Sequence, residues 1–258
     1  MYLEKLLVTL LTAPVIAPVP STLSHQVVAQ APAQQAPAPT AAPKAPETPK
    51  AEAPKAAEKK VAPEVKELVD RMQAFYEKTQ DFTSGFKQDY KYKALRRTQT
   101  STGKVTYKKP GLMRWEYEKP SKRTFVLAGE KVYAYDPEAQ SLTVGRIDTS
   151  QLSASVTFLF GQGKLADEFS ITQGACKDCK GTLLVLDPLK ADPRFRQVRL
   201  EVDPKTAQVL KSTVVDPDGS ENAIAFLDLK TNVGIAADSF KLNPPEGTRI
   251  DDLTRPRK

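Results

Sequence analysis

The chain has 258 residues, and 40% of them are hydrophobic, which is enough for a folded domain with an apolar core. Its formal net charge is +7, an excess that suits anionic lipid headgroups or acidic partners. The basic residues are scattered, without a basic helix or the glycine and aromatic motif of a recognition module, so we expect no nucleic-acid partner.

Residues 1–29 predict a secretory signal peptide. Lys5 supplies a thin positive region, an apolar run interrupted by prolines follows, and Val27–Ala29 give a cleavage context before Gln30. The run is too short and too broken for a good membrane span, although an uncleaved anchor is the alternative. No cysteine lies near it, so the lipid-attachment signature of a bacterial lipoprotein is missing. We therefore expect an exported protein.

Residues 30–63 consist almost entirely of Ala, Pro, Lys, Glu and Gln and cannot bury a core. This composition predicts a disordered, extended linker, which serves either as a solubilising leader or as a functional tether. The folded domain is predicted over residues 64–252, and residues 253–258 form a basic C-terminal tail.

The folded domain begins with a helix pattern and continues with strand patterns. The apolar residues of the helix recur at steps of three and four: Val65, Leu68, Val69, Met72, Phe75 and Tyr76. Period-two alternation and turn signals then predict eleven strands, at about residues 81–93, 101–109, 112–118, 122–128, 131–136, 141–146, 169–171, 183–186, 195–202, 209–215 and 223–229. Between the sixth and seventh strands, an apolar cluster without alternation predicts a short helix within residues 149–161.

So many antiparallel strands beside so little helix require a strongly curved sheet. The sequence therefore predicts a mainly β fold with some α, a barrel or half-barrel.

Catalytic chemistry is hard to place in this chain. Its single histidine, His25, lies in the predicted signal peptide, which removes the usual general base and most metal sites from a mature protein. No carboxylate pair stands out and no glycine-rich phosphate loop is present in the sequence. We expect a protein that is not an enzyme and that has no catalytic residues, no cofactor and no metal.

Cys176 and Cys179 form a Cys-x-x-Cys motif in a polar stretch between two predicted strands. A redox pair is expected where a strand leads into a helix, and a zinc site needs further ligands that the sequence does not offer. In an oxidising compartment a disulfide that pins the loop is favoured, with a thiol oxidoreductase as the alternative.

Several motifs occur in an order that resembles one known family. They are Phe82–Gln88, Gly103, Lys109–Tyr117, Pro120, Gly129, Val132–Pro137 and Phe240–Gly247. Together they resemble LolA, the periplasmic carrier of outer-membrane lipoproteins, over about residues 64–252. The resemblance implies a half-open barrel of eleven antiparallel strands, capped by the N-terminal helix and by a short central helical lid.

The resemblance also implies partners. The family receives acylated lipoproteins from an ATP-driven ABC-type transporter of the inner membrane and passes them to an outer-membrane receptor, where one is present. We therefore expect a monomeric carrier that shields acyl chains. The alternative is a lipid- or lipoprotein-sensing regulatory module of the same fold, with or without a membrane tether.

Alternation along residues 112–118 predicts one face that contacts the cargo, since residues two apart in a strand point the same way. The predicted cargo-binding residues are Met113, Trp115 and Tyr117, followed by Phe86, Phe125, Leu127, Tyr133 and Tyr135. The predicted lid residues are Phe158, Leu159 and Phe160. Each of these side chains could instead fill an ordinary core, because apolar alternation marks burial rather than ligand contact.

Lys109 is a departure from the family pattern. Many members have an arginine immediately before the corresponding proline, and the resemblance links that arginine to lid closure. Lysine lacks the planar guanidinium group that can bridge several carbonyls, so we expect control of the lid to be either weaker than in those members or differently arranged.

Overall fold

The computed structural model describes residues 62–147 and 163–254. The predicted signal peptide, nearly all of the linker, the end of the basic tail and the predicted central helix lie outside the described residues. Helices α1 (Pro63–Lys78) and α2 (Leu165–Glu168) and a 3-10 helix (Ala237–Phe240) are present. The strands are β1 (Asp81–Tyr92), β2 (Arg97–Lys108), β3 (Leu112–Lys119), β4 (Arg123–Ala128), β5 (Lys131–Asp136), β6 (Ser141–Arg146), β7 (Phe169–Gln173), β8 (Thr182–Pro188), β9 (Gln197–Val202), β10 (Val209–Val215), β11 (Glu221–Thr231) and β12 (Arg249–Asp252).

Helix α1 forms where the apolar pattern predicted it. Pro63 starts the helix and needs no amide partner there, and Thr79 ends it by donating its hydroxyl to the Phe75 carbonyl oxygen at 2.8 Å. Its buried face consists of Val65, Leu68, Val69, Met72 and Tyr76. None of the described helices is long and apolar enough to cross a membrane.

The twelve strands form one sheet in the order β12-β6-β5-β4-β3-β2-β1-β11-β10-β9-β8-β7. Neighbours are antiparallel except β12, which pairs with β6 in parallel. Within the described residues β7 and β12 are the two edges and do not pair, so the sheet stays open. The prediction of a mainly β, incompletely closed antiparallel barrel with an N-terminal helix is confirmed, with one strand more than expected.

One face of this sheet carries helix α1, and we call it the inner face. The buried residues of α1 pack with side chains of β7 to β9, including Leu184 and Leu200. A second buried cluster lies mainly on β1 to β5, includes Trp115 and extends to Ile224 on β11. Phe226 on β11 stands opposite Phe86 on β1 and packs against both clusters. The two clusters therefore share the inner face.

The other face of β3 and β4, the outer face, is covered by the segment that follows β11. The 3-10 helix contacts both strands. Arg114 donates to the carbonyl oxygens of Ser239 and Lys241 at 3.4 and 3.3 Å. The buried carboxylate of Asp81 fixes the start of this segment, because it accepts the backbone N–H groups of residues 233–235 at 2.7 to 3.1 Å.

Candidate functional site

Four aromatic rings meet on the inner face, and we call Phe86, Trp115, Tyr117 and Phe125 the aromatic cluster. The ring centroid of Phe86 lies 4.9 Å from that of Trp115 and 5.1 Å from that of Tyr117, both edge to face. The Phe125 ring lies 5.8 Å from that of Tyr117. Edge-to-face pairs of this kind add about 0.5–1.5 kcal/mol each to the effect of burial, so the rings hold one another in place.

Gly103 on β2 makes room for this arrangement. It stands opposite Phe86 on one side and Tyr117 on the other. A Cβ atom on Gly103 would lie 2.8 Å from the Phe86 ring and 2.0 Å from the Glu116 carbonyl oxygen. Only glycine therefore lets the Phe86 ring lie over β2 and reach β3.

Strand β3 alternates as the sequence indicated. Met113, Trp115 and Tyr117 are buried on the inner face, and Arg114 and Glu116 point to the outer face. The indole N–H of Trp115 lies 2.9 Å from the sulfur of Met113. On β4, Leu127 stands opposite Met113 and Phe125 opposite Trp115, so the structure brings six of the predicted cargo residues together.

Tyr133 and Tyr135 lie elsewhere. Tyr133 stands opposite Val126, which shares the outer face with Arg114, and Tyr135 follows two residues later. Val132 is the β5 residue opposite Leu127, and it belongs to the inner cluster. The sequence contained the signal for this, because a two-residue turn at Gly129 and Glu130 fixes which residues of β4 and β5 oppose each other.

The sequence interpretation also missed other members of the inner cluster. Apolar members not predicted as site residues are Phe82, Val105, Tyr107, Ile147 and Ile224. Gln88 and Asn222 are polar, buried and on the same face. Gln88 has the same parity along β1 as Phe86, so alternation was the available signal for it.

The Tyr117 hydroxyl is buried near the Gln88 amide. Burial raises the pKa of Tyr117, and the nearby Gln88 amide opposes that rise without making a hydrogen bond of normal geometry. The phenol is therefore a neutral donor at all physiological pH values.

Lys109 joins the β2–β3 turn to helix α1. Its ammonium group donates to the carbonyl oxygens of Tyr76 and Glu77 at 3.2 and 2.7 Å, in the last turn of the helix. One lysine thus reaches two carbonyls here, and its charge complements the negative end of the helix dipole.

The predicted lid residues Phe158, Leu159 and Phe160 lie outside the described residues. The residues on either side of this part of the chain are buried or hydrogen-bonded. Ile147 is buried in the cluster that contains Trp115, and Leu165 is buried in the cluster under α1. Gln73 of α1 donates to the Gly163 carbonyl oxygen at 2.9 Å.

Cys176 and Cys179 form a disulfide in the loop between β7 and β8, with Cα atoms 5.6 Å apart. No described helix begins at this loop, so nothing in that part of the chain supplies the helix N-terminus that stabilises a reactive thiolate. Among the described residues, no group of histidine, cysteine and acidic side chains could hold a metal ion.

The open sheet, its capping helix and its apolar inner face define a half-barrel protein. The family described as "Outer membrane lipoprotein carrier protein LolA" matches residues 77–243, and the chain belongs to this family. This is a family of carriers, which agrees with the expectation that the chain is not an enzyme.

Two relatives show the extent of the similarity. The outer-membrane lipoprotein carrier protein of Pseudomonas paraeruginosa is 28% identical over 186 residues, covering 70% of this chain and 86% of the relative. That of Dechloromonas aromatica is 28% identical over 183 residues, with the same coverage. Among solved structures, an uncharacterized conserved protein from Thermus thermophilus is similar with a TM-score of 0.47 and 12% identity, covering 72% of this chain and 98% of that one.

Proposed function

We propose that this chain is a periplasmic carrier that binds the acyl chains of lipoproteins released from the inner membrane and delivers them to the outer membrane. It would receive cargo from an ABC-type transporter and pass it to an outer-membrane receptor. Membership of the carrier family supports this role, and the observation that carries it is the largely apolar inner face of an open sheet.

The physical requirement for such a carrier is shielding. Each methylene removed from water contributes about 0.8 kcal/mol, so exposing one long acyl chain to water costs on the order of 10 kcal/mol. A carrier offsets this cost by covering the chain while it crosses an aqueous compartment. A fully closed barrel would have to open before it could exchange its contents. An open sheet has unpaired edges, and cargo can enter and leave between them.

We assign the cargo to the inner-face residues Phe86, Met113, Trp115, Tyr117, Phe125 and Leu127. Tyr133 and Tyr135 are left out because they lie on the outer face. Phe158, Leu159 and Phe160 are proposed as the lid, because the chain on either side of them is anchored in the two inner clusters. Lys109 would then act by holding the end of α1 in place.

The test is to incubate the full chain with spheroplasts, or with proteoliposomes that contain the transporter and ATP. Acylated lipoprotein should appear in the soluble fraction as a one-to-one complex, and only when protein and ATP are both present. A folded chain that binds acyl lipid and releases none would overturn the carrier proposal in favour of the sensing module.

Two matched variants test whether the inner face binds the cargo that is released in this assay. Phe125→Ser removes a half-buried aromatic ring from the inner face, and Tyr135→Ser removes one from the outer face. We expect Phe125→Ser to lower the amount released by roughly tenfold, the effect of losing part of one buried side chain, and Tyr135→Ser to leave it unchanged. Equal losses from both variants would argue against the inner face as the cargo site.

A further inference from the structure

A group of polar side chains is buried at one end of the aromatic cluster. Gln88 and Asn222 are 2% and 1% exposed and are hydrogen-bonded to each other, and the Gln88 amide lies near the hydroxyl of Tyr117. We call Gln88, Asn222 and this hydroxyl the polar cluster. Antiparallel register places it at the Tyr117 end of the inner face, while Met113, Phe82 and Tyr107 make the opposite end apolar.

Two hydrogen-bond donors of the polar cluster lack an acceptor in the described part of the chain. Gln88 donates its side-chain N–H to the Asn222 carbonyl oxygen at 3.0 Å. The Asn222 side-chain nitrogen and the Tyr117 hydroxyl are both buried, and within the described residues neither has an acceptor at hydrogen-bond geometry. A buried polar group left without a partner costs about 1–3 kcal/mol, so two at one place indicate a ligand that supplies an acceptor.

The chemistry of this ligand follows from the donors. An amide N–H and a phenol O–H are neutral, and they suit a neutral acceptor such as a carbonyl oxygen. The linkage by which an acyl chain is attached, an ester or an amide, presents such an oxygen next to its hydrocarbon. The hydrocarbon attached to that carbonyl group would continue onto the adjoining aromatic cluster.

We infer that the polar cluster binds the carbonyl linkage of the acyl cargo and thereby sets its direction on the inner face. The linkage lies at Gln88, Asn222 and Tyr117, and the chain runs past Phe86 and Trp115 towards Met113. This inference rests on the proposed function, since it concerns the same face, and adds that the protein distinguishes acyl from alkyl lipids.

The experiment compares two lipids that differ only in their carbonyl groups: dipalmitoylglycerol and its dihexadecyl ether analogue. The full chain is titrated with each, and binding is followed by the fluorescence of Trp115, the single tryptophan of the chain. We expect the wild-type chain to bind the ester about fivefold more tightly, the effect of one or two net hydrogen bonds. Asn222→Leu should remove that preference by weakening ester binding alone.

Two further variants keep the result decisive. Tyr117→Phe retains the ring and loses only the hydroxyl, so it reports on the polar cluster even if Asn222→Leu does not fold. Thr213→Val, which removes a buried hydroxyl from the outer face, should leave the preference at its wild-type value.

Each outcome has a distinct meaning. Equal affinity of the wild-type chain for ester and ether overturns the inference and leaves the proposed function intact. A preference that survives Asn222→Leu and Tyr117→Phe also overturns it. Absence of binding to either lipid by the folded chain overturns the proposed function, and this inference with it.

Discussion

The ammonium nitrogen of Lys109 lies 2.7 Å from the carbonyl oxygen of Glu77, 32 residues earlier in the chain. The backbone N–H of Lys109 also donates to the Gln80 carbonyl oxygen at 2.8 Å. Main chain and side chain thus fasten the β2–β3 turn to the end of helix α1, the element that covers part of the inner face.

Replacing Lys109 by Met should lower the free energy of unfolding by about 1–2 kcal/mol, because it removes charged hydrogen bonds at a helix C-terminus. Lys109→Arg should retain most of the stability, since its guanidinium can reach the same carbonyls. Urea unfolding gives the values, and Lys104→Met at an exposed position of β2 is the control. A loss no larger than that of the control would mean that this contact does not hold the helix.

Two glycines on adjacent strands should respond differently to alanine. At Gly103 a Cβ would lie within 2.0 Å of a backbone oxygen and 2.8 Å of the Phe86 ring, so strands must separate and the ring must move. We expect Gly103→Ala to destabilise the domain by about 2–3 kcal/mol and to weaken lipid binding. At Gly85 the nearest atom lies at 3.5 Å, an ordinary contact, and Gly85→Ala should cost less than about 1 kcal/mol. Thermal or urea unfolding of the two variants side by side checks the contrast.

Local sequence patterns were sufficient for most of the architecture. Alternation and turn residues predicted eleven strands that the structure contains, and period 3.6 predicted helix α1. Strand β12 was missed because Arg249–Asp252 has one apolar residue and no alternation, and its partner β6 lies more than a hundred residues earlier. A short polar strand that depends on distant pairing leaves no local signal.

The candidate site was predictable only in part, for a related reason. Alternation within one strand is enough to place Met113, Trp115 and Tyr117 on one face. Which residues of a neighbouring strand share that face depends on the length of the turn between the two strands. A shift of one residue reverses every side chain, and the two-residue turn after β4 places Tyr133 and Tyr135 on the face opposite Trp115. Asn222 meets Gln88 only through the pairing of β1 with β11, which no local pattern reveals.

The turn between β9 and β10 gives a prediction for pH dependence. The carboxylate of Asp203 accepts the backbone N–H groups of Lys205 and Thr206 at 2.7 and 3.2 Å, and these hydrogen bonds lower its pKa in the folded chain. A lowered pKa stabilises the fold above the unfolded pKa of about 3.9, and this contribution is lost as the pH falls through the folded value.

Asp203→Ala should therefore reduce the free energy of unfolding by about 1 kcal/mol at neutral pH and by progressively less below about pH 4. Urea midpoints measured at both pH values give the difference, with Asp178→Ala, at an exposed loop position, as the reference. A deficit that stays constant into acid would show that the hydrogen bonds to the charged carboxylate are not its source.

The disulfide should contribute to stability and not to activity. Its cysteines are only 3 apart in sequence, so the loop it closes is short and the expected stabilisation is at most about 2 kcal/mol. The Glu201 carboxylate holds the same loop, since it accepts the backbone N–H groups of Lys180 and Gly181 at 2.6 and 3.2 Å. The double variant Cys176→Ser, Cys179→Ser should thus fold and release lipoprotein at the wild-type level in the spheroplast assay. Loss of release with a folded domain would revive a thiol-exchange role.

Trp115 allows the position of the cargo to be tested directly. Its side chain is 3% exposed, on the inner face between Phe86 and Phe125. Because bromine quenches indole fluorescence only at short range, a diacylglycerol with brominated chains should quench Trp115, and the unbrominated lipid should not. If the chains run from the polar cluster towards Met113, bromines midway along the chain should quench more than bromines at its end. Formation of a stoichiometric complex without quenching would place the acyl chains away from the aromatic cluster and refute the assigned face.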